Sequence, residues 1–205
     1  AIVCGNCFVL KPSERDPSAA LFVAQLLNEA GLPKGVLNVV NGGKEAVDTL
    51  LTDERVQAVS FVGSTAIAKY IYKTASENDK RCQALGGAKN HAIVMQDAEM
   101  ENTVNALIGA AFGSSGERCM AISVVVAVGS ETADNLIAGL KSKMNDLKVG
   151  NFDNSKNDFG PLITKDHMEK VKGYITSAEA QGADIVVDGR SVNVKGCENG
   201  FYVGG

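Results

Sequence analysis

Short apolar runs of strand length alternate along the chain with longer stretches in which apolar residues recur every three or four positions. Cys7 to Leu10 predicts a strand. Pro17 to Ala30 predicts a helix, with Ala20, Leu21, Val23, Ala24 and Leu27 at helical spacing, Asp16 as N-cap, and Gly31 and Pro33 as the stop. Val36 to Val40 and Ala58 to Val62 read as strands, and Glu45 to Thr52 and Thr65 to Ala75 as helices. This βαβαβα rhythm predicts a parallel sheet covered by helices.

Gly86-Gly87-Ala88-Lys89 then breaks the periodicity and marks a boundary. Beyond it, His91 to Met95, Ala121 to Val128 and Asp184 to Asp188 read as strands. Glu101 to Gly113, Glu131 to Met144 and Lys165 to Gln181 read as helices, and Asn151 to Gly160 as a polar loop. Gly113 to Arg118 is a polar, glycine-containing turn. The fold class is α/β throughout, without internal repeat or low-complexity tract.

Composition narrows the function classes. The 205 residues suffice for one sizeable domain or parts of two, and 45% apolar with 21% charged is ordinary for a globular protein. The net charge is -4 and no basic stretch tracks a phosphate backbone, so no nucleic-acid partner is expected. No apolar run approaches the roughly 18 residues of a membrane span, so no membrane partner is expected either. Ala1 to Leu10 reads like the interior of a strand, and Gly200 to Gly205 stops without a finishing element. The chain therefore reads as a piece of a longer one. Five cysteines without framework spacing point to a reducing compartment. Cys4 and Cys7 form a C-x-x-C, read as two small apolar residues in a strand; His91 and His167 are the only histidines, and no metal site is expected.

Three segments carry candidate chemistry. Gly63-Ser64-Thr65 joins a strand to a helix, where free N–H groups favour an anion; Ser64 or Thr65 could equally be an ordinary cap. Lys11-Pro12-Ser13-Glu14 follows a strand, placing a cation and a carboxylate where α/β sheets bind ligands; by themselves these residues read as a solvated turn. Gly116-Glu117-Arg118-Cys119 ends a Gly/Ser turn ahead of a strand. A thiolate is a nucleophile and a nearby cation favours it, so Cys119 is a candidate nucleophile; a half-buried structural cysteine is the other reading. His91 reads as structural, and Asp97, Glu99 and Glu101 as a solvated helix start.

Taken together, Lys-Pro-Ser-Glu at 11–14, Phe61-Val62-Gly63-Ser64-Thr65, Leu85-Gly86-Gly87 with Lys89-Asn90, Gly116-Glu117-Arg118-Cys119 and Gly160-Pro161-Leu162-Ile163 resemble the aldehyde dehydrogenase superfamily in order and spacing. The resemblance covers essentially the whole chain. Gly-Ala-Lys-Asn-His at 87–91 and Arg-Cys-Met-Ala at 118–121 are similar to its CoA-acylating methylmalonate-semialdehyde dehydrogenase branch. That branch usually has Asn-Met where this chain has Leu85-Gly86.

The resemblance implies an aldehyde-dehydrogenase-like fold in two incomplete parts: residues 1–88 from an NAD-binding domain and 89–205 from a catalytic domain. It implies that Lys11 and Glu14 hold the adenosine ribose of NAD, that Gly63 and Ser64 touch its pyrophosphate, and that Cys119 is the nucleophile. Arg118 then binds a substrate carboxylate, supports the thiolate or forms a structural salt bridge. Hydrolytic members carry a Glu immediately before Leu-Gly-Gly, where this chain has Ala84. Without that base, coenzyme A rather than water is the expected acyl acceptor. The alternatives are a hydrolytic aldehyde dehydrogenase and an inactive nucleotide-binding relative. The family's oxyanion-hole Asn and later ribose-binding Glu lie outside this chain, so by itself it is expected to be inactive. The parent is expected to be a homodimer or homotetramer acting on a small aldehyde. Its expected location is the cytoplasm, or the mitochondrial matrix in a eukaryote.

Overall fold

A computed structural model describes all 205 residues. They divide into two compact units, Ala1–Gly87 and Ala88–Gly205.

In the first unit, β1 (Phe8–Leu10) pairs in parallel with β2 (Leu37–Val39) through α1 (Ser18–Glu29). After α2 (Lys44–Thr52), β3 (Ala58–Val62) pairs in parallel with β4 (Arg81–Leu85) through α3 (Thr65–Glu77). Parallel neighbours need such crossovers because the chain must return to the starting edge. The core packs Leu51, Ile71 and Ala75 against Val59, Phe61, Cys82 and Ala84. Leu51 is 1% exposed. The buried Lys80 donates from Nζ to the Asp53 and Val56 carbonyls at 2.6 and 2.7 Å, tying the turn before β4 to the turn before β3.

In the second unit, β5 (Asn90–Val94) pairs in parallel with β6 (Ile122–Ala127), with a register shift between Asn90 and His91. The connection is α4 (Met100–Phe112), whose first N–H groups are capped by the Glu99 carboxylate. After β6 the chain continues into α5 (Ser130–Asp146) and, after a loop, α6 (Lys165–Ala180). Val94, Val104, Leu107 and Leu136 form the core between strands and helices.

Three expectations need correction, and one strand is not anticipated. Of Ala1 to Leu10 only Phe8–Leu10 is strand: the Cys4 and Gly5 N–H groups bond back to Ala1 and Ile2, and Gly5 turns at φ 81. Cys4 and Cys7 therefore lie outside a strand, and both are exposed. Asp16 does not cap α1, because Pro17 occupies the N-cap position and no side chain caps it. Asp184 to Asp188 has strand composition but no strand of this chain to pair with, and its backbone is irregular. Finally, β4 is a strand that the apolar pattern does not announce, because its outward positions are Arg81 and Gln83 and its inward ones Cys82 and Ala84.

Candidate active site

The candidate residues fall on both units: Lys11, Glu14, Gly63 and Ser64 on the first, Arg118 and Cys119 on the second.

Lys11 directly follows β1 and Pro12 is buried behind it. The Lys11 ammonium donates to the Gly42 carbonyl at 2.8 Å and reaches the Glu14 carboxylate at 3.3 Å. Backbone hydrogen bonding, and then Lys11, hold the Glu14 carboxyl below its ordinary range, so it is an anion at neutral pH. The pair thus offers a fixed cation and an exposed acceptor at the carboxyl end of a parallel strand.

At the end of β3 the chain passes through Gly63 into α3. The Phe61 ring packs where a side chain at position 63 would project, so a larger residue there would have to displace the ring. Ser64 is the N-cap residue, but no side chain caps the helix. The Thr65 hydroxyl is engaged instead, accepting from the Gly87 N–H at 3.0 Å. Ser64 Oγ makes no hydrogen bond, and the opening N–H groups of α3 have no helical partner. This donor set suits the pyrophosphate of a dinucleotide, and the carboxylate of Glu14 suits ribose hydroxyls.

Ahead of β6 the backbone takes a strained path. Ser114, Ser115 and Gly116 lie consecutively in the left-handed region, at φ 56, 55 and 73. Outside glycine this conformation costs roughly 1–2 kcal/mol per residue, so the surroundings must hold it. Ser115 Oγ donates to the Gly160 carbonyl at 2.7 Å. The Glu117 carboxylate meets His167 Nε2 at 3.4 Å, in the first turn of α6. Burial raises the Glu117 carboxyl above its ordinary range, and the charge on His167 opposes that.

Arg118 to Ala121 then forms a turn closed by the Ala121 N–H on the Arg118 carbonyl at 3.1 Å. Cys119 is its second residue and is exposed. The Cys119 N–H makes no hydrogen bond within the chain. Asn90, at the start of β5, donates from Nδ2 to both the Cys119 and Ala121 carbonyls, each at 2.9 Å. Arg118 folds back over Gly113, with the guanidinium in the space a side chain there would fill. No carboxylate of this chain pairs with Arg118. Among the other cysteines, Cys82 is half-buried and burial pushes its thiol up, away from the reactive form.

Ala84 lies on the core side of β4 beside Phe61, while Leu85 faces the other way and is half exposed. From Gln83 to Lys89 there is no carboxylate and no imidazole. His91 is exposed, its Nδ1 2.8 Å from the Lys89 carbonyl, which accepts. An apolar cavity of about 500 Å³ in the second unit is lined by Phe112, Ser115, Phe159, Leu162, Ile175 and Val203 among others. No cysteine lines it. Residues that local sequence reasoning did not single out are Ser115, Glu117, His167 and, above all, Asn90. Each acts on a neighbour far off in the chain.

Three two-stranded parallel sheets, with a cysteine presented from a turn ahead of a half-buried strand, define a thiol-bearing α/β protein. Over residues 1–205 the sequence matches the aldehyde dehydrogenase family, and the chain belongs to that family. It is 60% identical over 205 residues to a malonate-semialdehyde dehydrogenase from Pseudomonas aeruginosa, covering 100% of this chain and 41% of that one. The crystal structure of a methylmalonate-semialdehyde dehydrogenase from Oceanimonas doudoroffii superposes with a TM-score of 0.96 at 71% identity, covering 100% of this chain and 42% of that one. An aldehyde dehydrogenase C mutant from Pseudomonas syringae, in complex with NAD+ and octanal, gives a TM-score of 0.90 at 30% identity over 99% of this chain and 42% of that one. The chain thus spans about two fifths of the length of these relatives. No helix is long and apolar enough to cross a membrane.

Proposed function

We propose that the enzyme carrying this chain oxidises a small aldehyde of the malonate- or methylmalonate-semialdehyde type, with NAD, through a thioester on Cys119, and passes the acyl group to coenzyme A. The observation that carries this reading is the Arg118–Ala121 turn, which presents an exposed Cys119 together with its own unpartnered backbone N–H. The substrate class is supported by the relatives at 60% and 71% identity.

Lys11 and Glu14 are assigned to the adenosine ribose, and Gly63, Ser64 and the start of α3 to the pyrophosphate. NAD, when bound, supplies the acceptor for a hydride. The Cys119 thiolate adds to the aldehyde carbon, forming an S–C bond and leaving a negative charge on oxygen. The Cys119 N–H is the donor this chain offers to that oxyanion. Loss of hydride from the same carbon leaves acyl-Cys119. The sulfur of coenzyme A then attacks the acyl carbon, and Cys119 leaves as thiolate. With a malonyl-type acyl group, the C–C bond to the carboxylate breaks and carbon dioxide leaves before this transfer, the thioester enolate so formed taking a proton from water. Arg118, free of any carboxylate of the chain, is assigned to the substrate carboxylate; a guanidinium grips one through two parallel N–H bonds.

Coenzyme A is favoured over water because the segment ending β4 supplies no base, whether position 84 or 85 is considered. A cytoplasmic homodimer or homotetramer belongs to the same proposal, on the family resemblance. The test is NADH formation by the full-length enzyme with and without coenzyme A. Turnover should depend on coenzyme A. Equal rates would assign the hydrolytic reaction instead.

A further inference from the structure

Cys119 is flanked by two peptide planes, and the chain fixes both. The plane before it contains the Arg118 carbonyl and the Cys119 N–H. The bond from the Ala121 N–H to the Arg118 carbonyl, at 3.1 Å, sets its orientation. The plane after it contains the Cys119 carbonyl, which no backbone group of the chain engages. That carbonyl is held by a side chain, Asn90 Nδ2, and the same nitrogen also holds the Ala121 carbonyl where β6 begins.

The fold aims Asn90 at this turn by a local irregularity. Asn90 pairs with Ile122 but His91 pairs with Val124, so Ser123 is an extra residue in β6. Such a bulge re-aims the side chain beside it. Asn90 is half-buried, and its bond to the Ala121 carbonyl is partly shielded while that to the Cys119 carbonyl is exposed. A primary amide is also the group the geometry demands: one nitrogen carries two protons, and two carbonyls converge on it. Aspartate would set a carboxylate against those two oxygens, serine has one proton to give, and alanine none.

We propose that Asn90 is a positioning residue for the nucleophile: by clamping the Cys119 and Ala121 carbonyls it fixes the direction of Cys119 Sγ and of the free Cys119 N–H. This rests on the reading of Cys119 as nucleophile and extends it to a residue 29 positions upstream. The clamp provides preorganisation, so the oxyanion donor need not be reoriented during the reaction.

The test uses the full-length enzyme with Asn90→Ser, Asn90→Ala and Asn90→Asp, and Cys119→Ala measured alongside. Expected is a fall in kcat per folded enzyme in the order native, Ser, Ala, with the Ala variant down by about tenfold or more. The KM for NAD should stay within about twofold, because the first unit is untouched. Alkylation of Cys119 by iodoacetamide should slow in the same order. The kcat of Asn90→Asp relative to native should recover as pH falls, because a protonated carboxyl regains one donor. Should Ala and Asp fail to fold, the Ser variant decides: a kcat and alkylation rate equal to native would overturn the proposal. Equal kcat across the folded series, with Cys119→Ala inactive, would overturn the positioning role alone. Turnover retained by Cys119→Ala would overturn the nucleophile reading itself.

Discussion

At the carboxyl end of β3 the chain runs through Gly63 directly into α3, leaving the Ser64 hydroxyl and the first N–H groups of the helix without partners. Ahead of β6 it does the opposite. Three left-handed residues lead into a turn, and the whole segment is tied at Ser115, Glu117 and, through Asn90, at Cys119 and Ala121. A site that grips an anion works through free donors, and a helix supplies these without special support. A nucleophile has to be aimed, and aiming an irregular turn requires hydrogen bonds from outside it. The first turn is thus open by construction and the second is over-determined.

This contrast orders the expected effects. Cys119→Ala should abolish turnover, at least about a thousandfold, because the covalent step has no substitute. By comparison Ser64→Ala should leave kcat nearly unchanged and raise the KM for NAD about fivefold, the value of one hydrogen bond of about 1 kcal/mol. Steady-state kinetics on both variants separates the two turns; a matching loss of kcat in Ser64→Ala would dissolve the distinction.

An intermediate effect is expected at β4. Ala84→Glu pushes a carboxylate toward Phe61 and the Leu51 core, and should destabilise by about 2 kcal/mol. Leu85→Glu, on the half-exposed side, should cost far less. Thermal denaturation compares them. It also bears on the acceptor: a base at position 84 would face the half-buried, core side of β4, so lack of a base at both positions is the firmer ground for coenzyme A.

The smallest effect concerns Glu117. Burial raises its folded carboxyl above the ordinary value of 4.5, so the fold favours the protonated form. Its contribution to stability is therefore full below that ordinary value and falls as pH rises through the raised folded value. Glu117→Gln, which does not titrate, should lose less stability than native between about pH 4 and about pH 7. Melting curves at the two pH values measure this. An identical pH dependence in native and variant would remove burial of Glu117 from the account.

Much of the framework was legible in the sequence. Apolar spacing gave every helix and the strands β1, β2, β3, β5 and β6 to within a few residues. It missed β4 because Arg81 and Gln83 face outward and the inward residues are small. It overread Asp184 to Asp188, since apolar composition does not supply a hydrogen-bonding neighbour. The candidate residues themselves stood out as motifs. What holds them did not: Asn90 lies 29 residues before Cys119, Ser115 lies 45 before Gly160, and a spacing pattern carries no trace of either bond. Nor could spacing show that Thr65 is spent on Gly87 while Ser64 stays free.

The central claim is a covalent acyl group on Cys119 that departs on coenzyme A. Full-length enzyme mixed with NAD and malonate semialdehyde, without coenzyme A, should be quenched in acid and its peptides analysed by mass spectrometry. The account predicts an acyl adduct on the peptide containing Cys119, formed with a burst of NADH and discharged when coenzyme A is added. NADH formed in continuous turnover without coenzyme A, or an adduct on Cys82 in place of Cys119, would contradict it.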